Sequence, residues 1–243
     1  MFFMLLMLLT TAFAAPLEQQ FTWDLTVDGR AVGERVLKVR YLPANHGMRR
    51  LLQSWTDVNT NVLGLPYRFQ QRLTAHIGEG PASFHSVVVD NKTPREIQGR
   101  RTWTGWQVNI TEKGTSKKWD FPAHDLDLST VDFLDPESWI NVLRYERIRV
   151  LSAETGAIWE GPLMLLGSSE IEIEGQHVRT EGVAWGGVGS RTQLYFSHDG
   201  YLVRYTTQVL GKTLEGRLRT LPPPGLDNAP VEFASDRVRE IEL

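Results

Sequence analysis

The chain has 243 residues, 41% of them hydrophobic, with 26 basic against 29 acidic side chains and no cysteine. Charges that nearly cancel, interleaved along the sequence as at Arg35, Lys38 and Arg40, give no broad electrostatic footprint for nucleic acid. Without cysteine there is no disulfide, thiol nucleophile, Cys-ligated metal or cysteine-borne lipid anchor, so stability must come from apolar burial, for which the chain is long enough.

Residues 1–9 form an unbroken apolar run, followed by Thr10, Thr11 and the small-x-small signal Ala12-Phe13-Ala14. This reads as a secretory signal peptide over residues 1–14, cut after Ala14, although no Lys or Arg precedes the apolar run. The run is too short for a membrane span, which needs about 20 residues in a helix. The expectation is export to a bacterial periplasm or beyond, with residues 15–243 forming a single β-rich domain and no transmembrane segment in the mature chain.

The mature chain opens with Phe21, Trp23, Leu25 and Val27 alternating with Thr22, Asp24 and Thr26 up to Asp28-Gly29. Alternation ending in Asp-Gly predicts a strand entering a tight hairpin. Return strands follow at 33–42 and 48–58, and a long alternating run at 67–77 is broken only by Gln71. Turn residues then separate strands at 83–89, 95–101, 103–111 and 116–121. The basic pairs Arg49-Arg50, Arg100-Arg101 and Lys117-Lys118 read as solvated strand faces.

Alternation stops at 122–145. Asp135 as cap, Pro136 at the first helical position and Leu134 opposite Trp139 predict a short helix over 136–143, with Trp139, Ile140 and Leu143 on its apolar face. Residues 146–166 have room for one or two strands, and Gly167-Ser168-Ser169 leads into the next. From there to Leu221 the turns Glu174-Gly175, residues 185–189, His198-Asp199-Gly200 and Leu210-Gly211 divide a meander. The fold class is mainly β: a single strongly curved antiparallel sheet, an unclosed or half β-barrel of about 10–13 strands, with one short helix packed on it or capping it.

Chemistry is sparse. His124, Asp125 and Asp127 form the richest ligand cluster, but lack the spacing of a calcium loop, and turns and caps account for such residues; no metal and no cofactor is assigned. His76 and His85 flank a turn without a third ligand. There is no Gly-x-Ser-x-Gly elbow and no acidic pair that stands apart, so no catalytic residue is assigned and nothing specific argues for an enzyme. What stands out is eight Trp, six Tyr and ten Phe. Inward aromatics of a curved sheet either fill a core or line an apolar cavity, and the candidate lining and lid are Trp55, Phe69, Trp103, Trp106, Trp139, Ile140, Leu143 and Trp185.

Four stretches carry a resemblance. They are Gly33 after the opening hairpin turn; Leu128-Ser129-Thr130-Val131-Asp132-Phe133-Leu134; Glu170, Glu172, Glu174 and Gly175 with Val178 and Thr180; and Leu194-Tyr195-Phe196-Ser197 with Asp199-Gly200-Tyr201-Leu202-Val203-Arg204-Tyr205. In this order the chain resembles an uncharacterised exported bacterial domain family, itself similar to the periplasmic lipoprotein-localisation carriers. The resemblance implies an unclosed barrel around an apolar hollow that accepts acyl chains. On this reading the protein binds or carries an apolar ligand such as a lipid or a lipoprotein acyl chain. The alternatives are an envelope protein–protein interaction module without ligand and a glycan-active hydrolase. The charged strand faces and the end Arg239-Glu240-Ile241-Glu242-Leu243, without a closing aromatic, argue against an outer-membrane barrel.

Overall fold

Period-two alternation puts one face of each strand in the core, and the computed structural model shows which strands share it. It describes residues 17–222 apart from 45–46, 63, 79–81, 136–145, 187–191 and 210. The first arm runs β1 (Glu18–Val27), β2 (Arg30–Ala44), β3 (Gly47–Val62), β4 (Leu65–Gly78), β5 (Ser83–Asp90), β6 (Thr93–Thr102), β7 (Gly105–Glu112) and β8 (Thr115–Pro122). The second runs β9 (Leu128–Ser129), β10 (Arg147–Leu151), β11 (Ile158–Ile173), β12 (Gln176–Trp185), β13 (Thr192–Ser197), β14 (Leu202–Val209) and β15 (Lys212–Leu218). They form one sheet in the order β8-β7-β6-β5-β4-β3-β2-β1-β15-β14-β13-β12-β11-β10-β9. Every pairing is antiparallel except β9 with β10. Each arm is a meander of neighbours; β1 and β15 join the arms, Trp23 opposite Leu218 and Leu25 opposite Gly216. The ring is open between β8 and β9, which gives the expected unclosed sheet.

The hairpins are tight for a local reason. Asp28 and Gly29, Asn91 and Lys92, Lys113 and Gly114, and Glu174 and Gly175 all have positive φ. That is the mirror-image turn whose twist matches the strands it joins. Once such a turn sets the register, side chains align across the arm. Phe21, Leu37, Ser54, Leu73, Ser86 and Ile97 lie opposite one another in a transverse row, and all are buried. Gln71 donates to Ser86 Oγ at 3.0 Å, so these two polar members of the face satisfy one another within it. The outer face is charged: Arg219 reaches both Asp24 and Glu34, and Arg204 reaches Glu215. Exposed pairs of this kind add little stability, and the inner rows carry the fold.

Three sequence expectations need correction. Gly167-Ser168-Ser169 does not precede a new strand: β11 runs unbroken over sixteen residues, absorbing an extra residue in a bulge between Leu165 and Gly167. Trp103 does not open a strand but stands in the turn between β6 and β7. Among the described residues the strands number fifteen, the surplus including β9, whose two residues are too few to show a period. The helix expected over 136–143 lies outside the described residues; before it stand two 3-10 turns, at Ala123–Asp125 and at Asp132–Leu134.

Candidate functional site

The open side of the sheet is where the structure departs from a plain meander. Between β8 and β10 the chain enters the interior: Leu126, Leu128, Val131, Phe133 and Leu134 are all buried in the core cluster. A non-repetitive segment carries backbone polar groups that must be paired when buried; several here find a partner on β10, and others pair within the segment itself. Asp127 and Arg149 exchange bonds, the Asp127 N–H donating to the Arg149 carbonyl at 3.0 Å and the Arg149 N–H to Asp127 Oδ2 at 2.7 Å. The Thr130 N–H donates to the Leu151 carbonyl at 2.9 Å, and the Thr130 and Ser152 hydroxyls both donate to Glu154 Oε2 at 3.0 Å.

This second turn, between β10 and β11, also points inward. Ser152 and Ala153 are buried, and a Cβ added at Gly156 would stand 2.3 Å from the Ile110 methyl of β7. Gly156 also has φ of +73°, so a side chain there is strained by its backbone and would force Ile110 to shift. Segment 126–135 and turn 152–156 together form an internal plug where the ring stays open.

Two carboxylates anchor the plug. Asp132 Oδ2 accepts from the Ser129 N–H at 2.7 Å and the Ser129 hydroxyl at 3.0 Å. Burial pushes its carboxyl above the ordinary range; the Ser129 bonds oppose that, nearby Asp135 adds to it and Arg101 counters it. Asp135, wholly buried, accepts from Arg50 Nη2 of β3 at 3.0 Å. This pair ties the plug to the opposite arm, and removing one member of such a pair strands the other's charge.

The plug meets aromatic residues at its β11 end. The Phe133 ring lies 5.5 Å from that of Trp185, which stacks on Trp159 at 5.9 Å. Trp185 is buried and Trp159 is 37% exposed. Immediately beyond, β10 ends: its pairing with β11 stops at Pro162, and only the Leu163 N–H reaches further, to the Glu146 carbonyl. The edge of β11 from Met164 onward has no strand partner on that side among the described residues, and Met164, Leu165 and Leu166 are exposed there.

The sequence candidates fall in several places. Trp106 and Trp185 lie in the core, and Phe69 packs partly buried against it. The buried indole nitrogens of Trp106 and Trp185 have no acceptor among the described residues. Trp55 is 40% exposed on the outer face of β3, opposite Arg72, and Trp103 is wholly exposed at its turn. Trp139, Ile140 and Leu143 lie outside the described residues. His124 is exposed, while Asp125 and Asp127 serve Arg149. His85 pairs with Glu96 at 2.9 Å. Among the described residues no group of three or more His, Cys, Asp or Glu is placed to hold a metal ion. A groove of about 470 Å³ lies elsewhere, where the tip of the β11–β12 hairpin meets β1 and β15; Asp24, Glu172, Glu174, Glu215, Arg217 and Arg219 make it largely charged.

Sequence reading missed the plug and Arg50. The signal for Arg50 was present: it shares the parity of Leu52, Ser54 and Val58, which marks it as inward.

No protein-family model matches this chain, and no curated protein matches it. Among solved structures it is similar to a β-barrel-like protein of the domain of unknown function DUF1849 from Brucella abortus. The two share 11% identity with a TM-score of 0.57, over 84% of this chain and 96% of that one. At that identity the likeness is one of fold, and the fold shared is a barrel-like β-sheet.

Proposed function

We propose that this chain is an exported, periplasmic β-rich binding protein that holds an apolar ligand of the lipid acyl-chain class along the border of β11 that has no strand partner among the described residues, beside the plug. The observation that carries this reading is the concentration of apolar surface there. Of ten exposed large hydrophobic side chains among the described residues, Trp159, Met164, Leu165 and Leu166 belong to this one strand. Apolar side chains gathered where a strand loses its neighbour make a contact surface, whereas scattered ones need no explanation. The aromatic pair Trp159 and Trp185 gives the border a flat wall, and the apolar leader at residues 1–14 and the resemblance to lipoprotein-localisation carriers support export and an acyl ligand. The buried side chains of the plug lie beside this border, and the ligand is placed along it.

The test is extraction and mass spectrometry of protein purified from the periplasm of its native host, joined to titration with a fluorescent long-chain fatty acid. Co-purifying lipid is expected, with saturable uptake that Leu165→Glu weakens about tenfold, the scale of one buried leucine contact. Protein that is empty and takes up no probe overturns the reading. The alternative of an envelope interaction module is favoured by a different feature, the free edge of β8.

A further inference from the structure

β8 is the last strand of its arm, and nothing among the described residues pairs with its outer edge. All its residues are exposed except Phe121, which is half-buried. The turn before it, Lys113 and Gly114 with φ of 51° and 77°, is a two-residue hairpin, so Glu112 and Thr115 flanking it form a hydrogen-bonded pair. Counting from there, Thr115, Lys117, Trp119 and Phe121 direct their backbone groups at β7. Ser116, Lys118, Asp120 and Pro122 direct theirs at the free edge. Side chains divide the same way: Trp119 and Phe121 share the inner face with Val108 and Trp106, their rings stacked at 6.4 Å, and Lys118 and Asp120 share the outer face with Asn109 and Gln107.

We propose that a second copy of this chain pairs with this edge, β8 against β8 antiparallel about a two-fold axis at Trp119. An edge joined by a two-fold axis keeps both inner faces on one side, so only registers pairing odd with odd and even with even positions are allowed. With the axis at Trp119, each Lys118 lies opposite the other copy's Asp120, twice over, and each Lys117 opposite the other Phe121. The two Trp119 rings meet at a pair without hydrogen bonds, where side chains come closest. Lys118 and Asp120 exchange both backbone bonds, and each Ser116 N–H meets a Pro122 carbonyl, where the missing proline N–H ends the ladder. Shifting the axis one residue back sets Lys118 against Lys118, and one residue forward sets Asp120 against Asp120. Charge thus selects a single register, since like charges directly opposite destabilise a pair.

A second observation agrees with this one. Among the described residues neither Lys118 nor Asp120 has an ion-pair partner, whereas Arg95, Arg149, Arg204 and Arg219 on other strands all have one. Lysines on an edge ordinarily repel a strange strand. Asp120 two positions on turns that protection into self-recognition.

The interface is small, eight residues a side, which puts it in the weak and transient class, with dissociation on the order of micromolar. Sedimentation velocity over rising concentration is expected to show a monomer–dimer equilibrium. Lys118→Glu or Asp120→Lys alone, each placing like charges opposite twice, is expected to raise the dissociation constant about tenfold or more. The double variant restores the pairing and the dimer. Because the chain has no cysteine, register is read directly: Trp119→Cys is expected to cross-link to its copy on mild oxidation, the two Cα atoms being about 4.5 Å apart, while Lys118→Cys is not. These positions are exposed, and circular dichroism checks that the fold is kept. A wild-type monomer at hundreds of micromolar, a dimer indifferent to the single charge changes, or cross-linking equal at both positions overturns the proposal.

Discussion

Asp132 is the residue whose chemistry is most at odds with its place. A carboxyl buried in the plug prefers its proton, and the Ser129 bonds do not outweigh that burial. The sign follows from linkage. In the unfolded chain the group titrates near 3.8, and in the native state at a higher pH, so native Asp132 binds its proton more tightly. Below 3.8 it is neutral in both states and costs nothing. As pH rises from there through the native value the penalty grows, and above it the penalty is fully present. Asp132→Asn keeps an oxygen for both Ser129 bonds and removes the charge. Urea unfolding is therefore expected to show this variant more stable than wild type at pH 7, with the advantage shrinking toward nothing as pH falls to 3.8. An advantage constant with pH, or a less stable variant, refutes the account. None of this was legible in the sequence, where Asp132 stands among His124, Asp125, Asp127 and Asp135 as one acid of a polar loop. Burial distinguishes it, and burial comes from strands far away in the chain.

Elements with a period were legible and elements without one were not. In β1, Phe21, Trp23, Leu25 and Val27 announce both the strand and its buried face, and the structure buries all four. The plug has no such mark: Leu126, Leu128, Val131, Phe133 and Leu134 follow neither a period of two nor one of 3.6, so they read as the approach to a helix. β11 misled for the opposite reason, since Gly167, Ser168 and Ser169 are turn residues held in a strand by the ladder with β12. The plug's standing as core is testable at Phe133, which packs on Trp185. Phe133→Ala is expected to lower stability by about 3–5 kcal/mol, the cost of removing a buried ring and leaving its cavity. A surface loop would lose no more than about 0.5 kcal/mol. Tryptophan emission, drawn in part from Trp159 and Trp185, is expected to shift red in the folded variant as water reaches the gap. An effect of the smaller size with unchanged emission would return the segment to the surface.

At the scale of the molecule, the longest-range pairing, which no local pattern announces, is that of β1 with β15, which brings Trp23 against Leu218. Each other antiparallel neighbour follows from a hairpin, and this pair alone decides that two meanders become one sheet. Its position also makes the fold a cyclic meander: starting at β9, running to β15 and on through β1 to β8, sequence order and spatial order coincide. A circular permutant opened between Ala123 and His124, both exposed, with Pro222 joined to Leu17 by a short Gly/Ser linker, therefore turns the longest-range pairing into a local one. The Arg219 N–H already bonds the Thr22 carbonyl at 2.7 Å, so the ends to be joined lie side by side. Because non-local pairing pays loop-closure entropy before it is rewarded, the permutant is expected to refold faster than the parent by at least several-fold, at a similar urea midpoint. Stopped-flow tryptophan fluorescence measures both limbs. A permutant that folds no faster shows that β1–β15 docking follows the rate-limiting step, leaving plug insertion as the slow event; one that fails to fold shows that the 3-10 turn at Ala123–Asp125 must be continuous for the plug to enter.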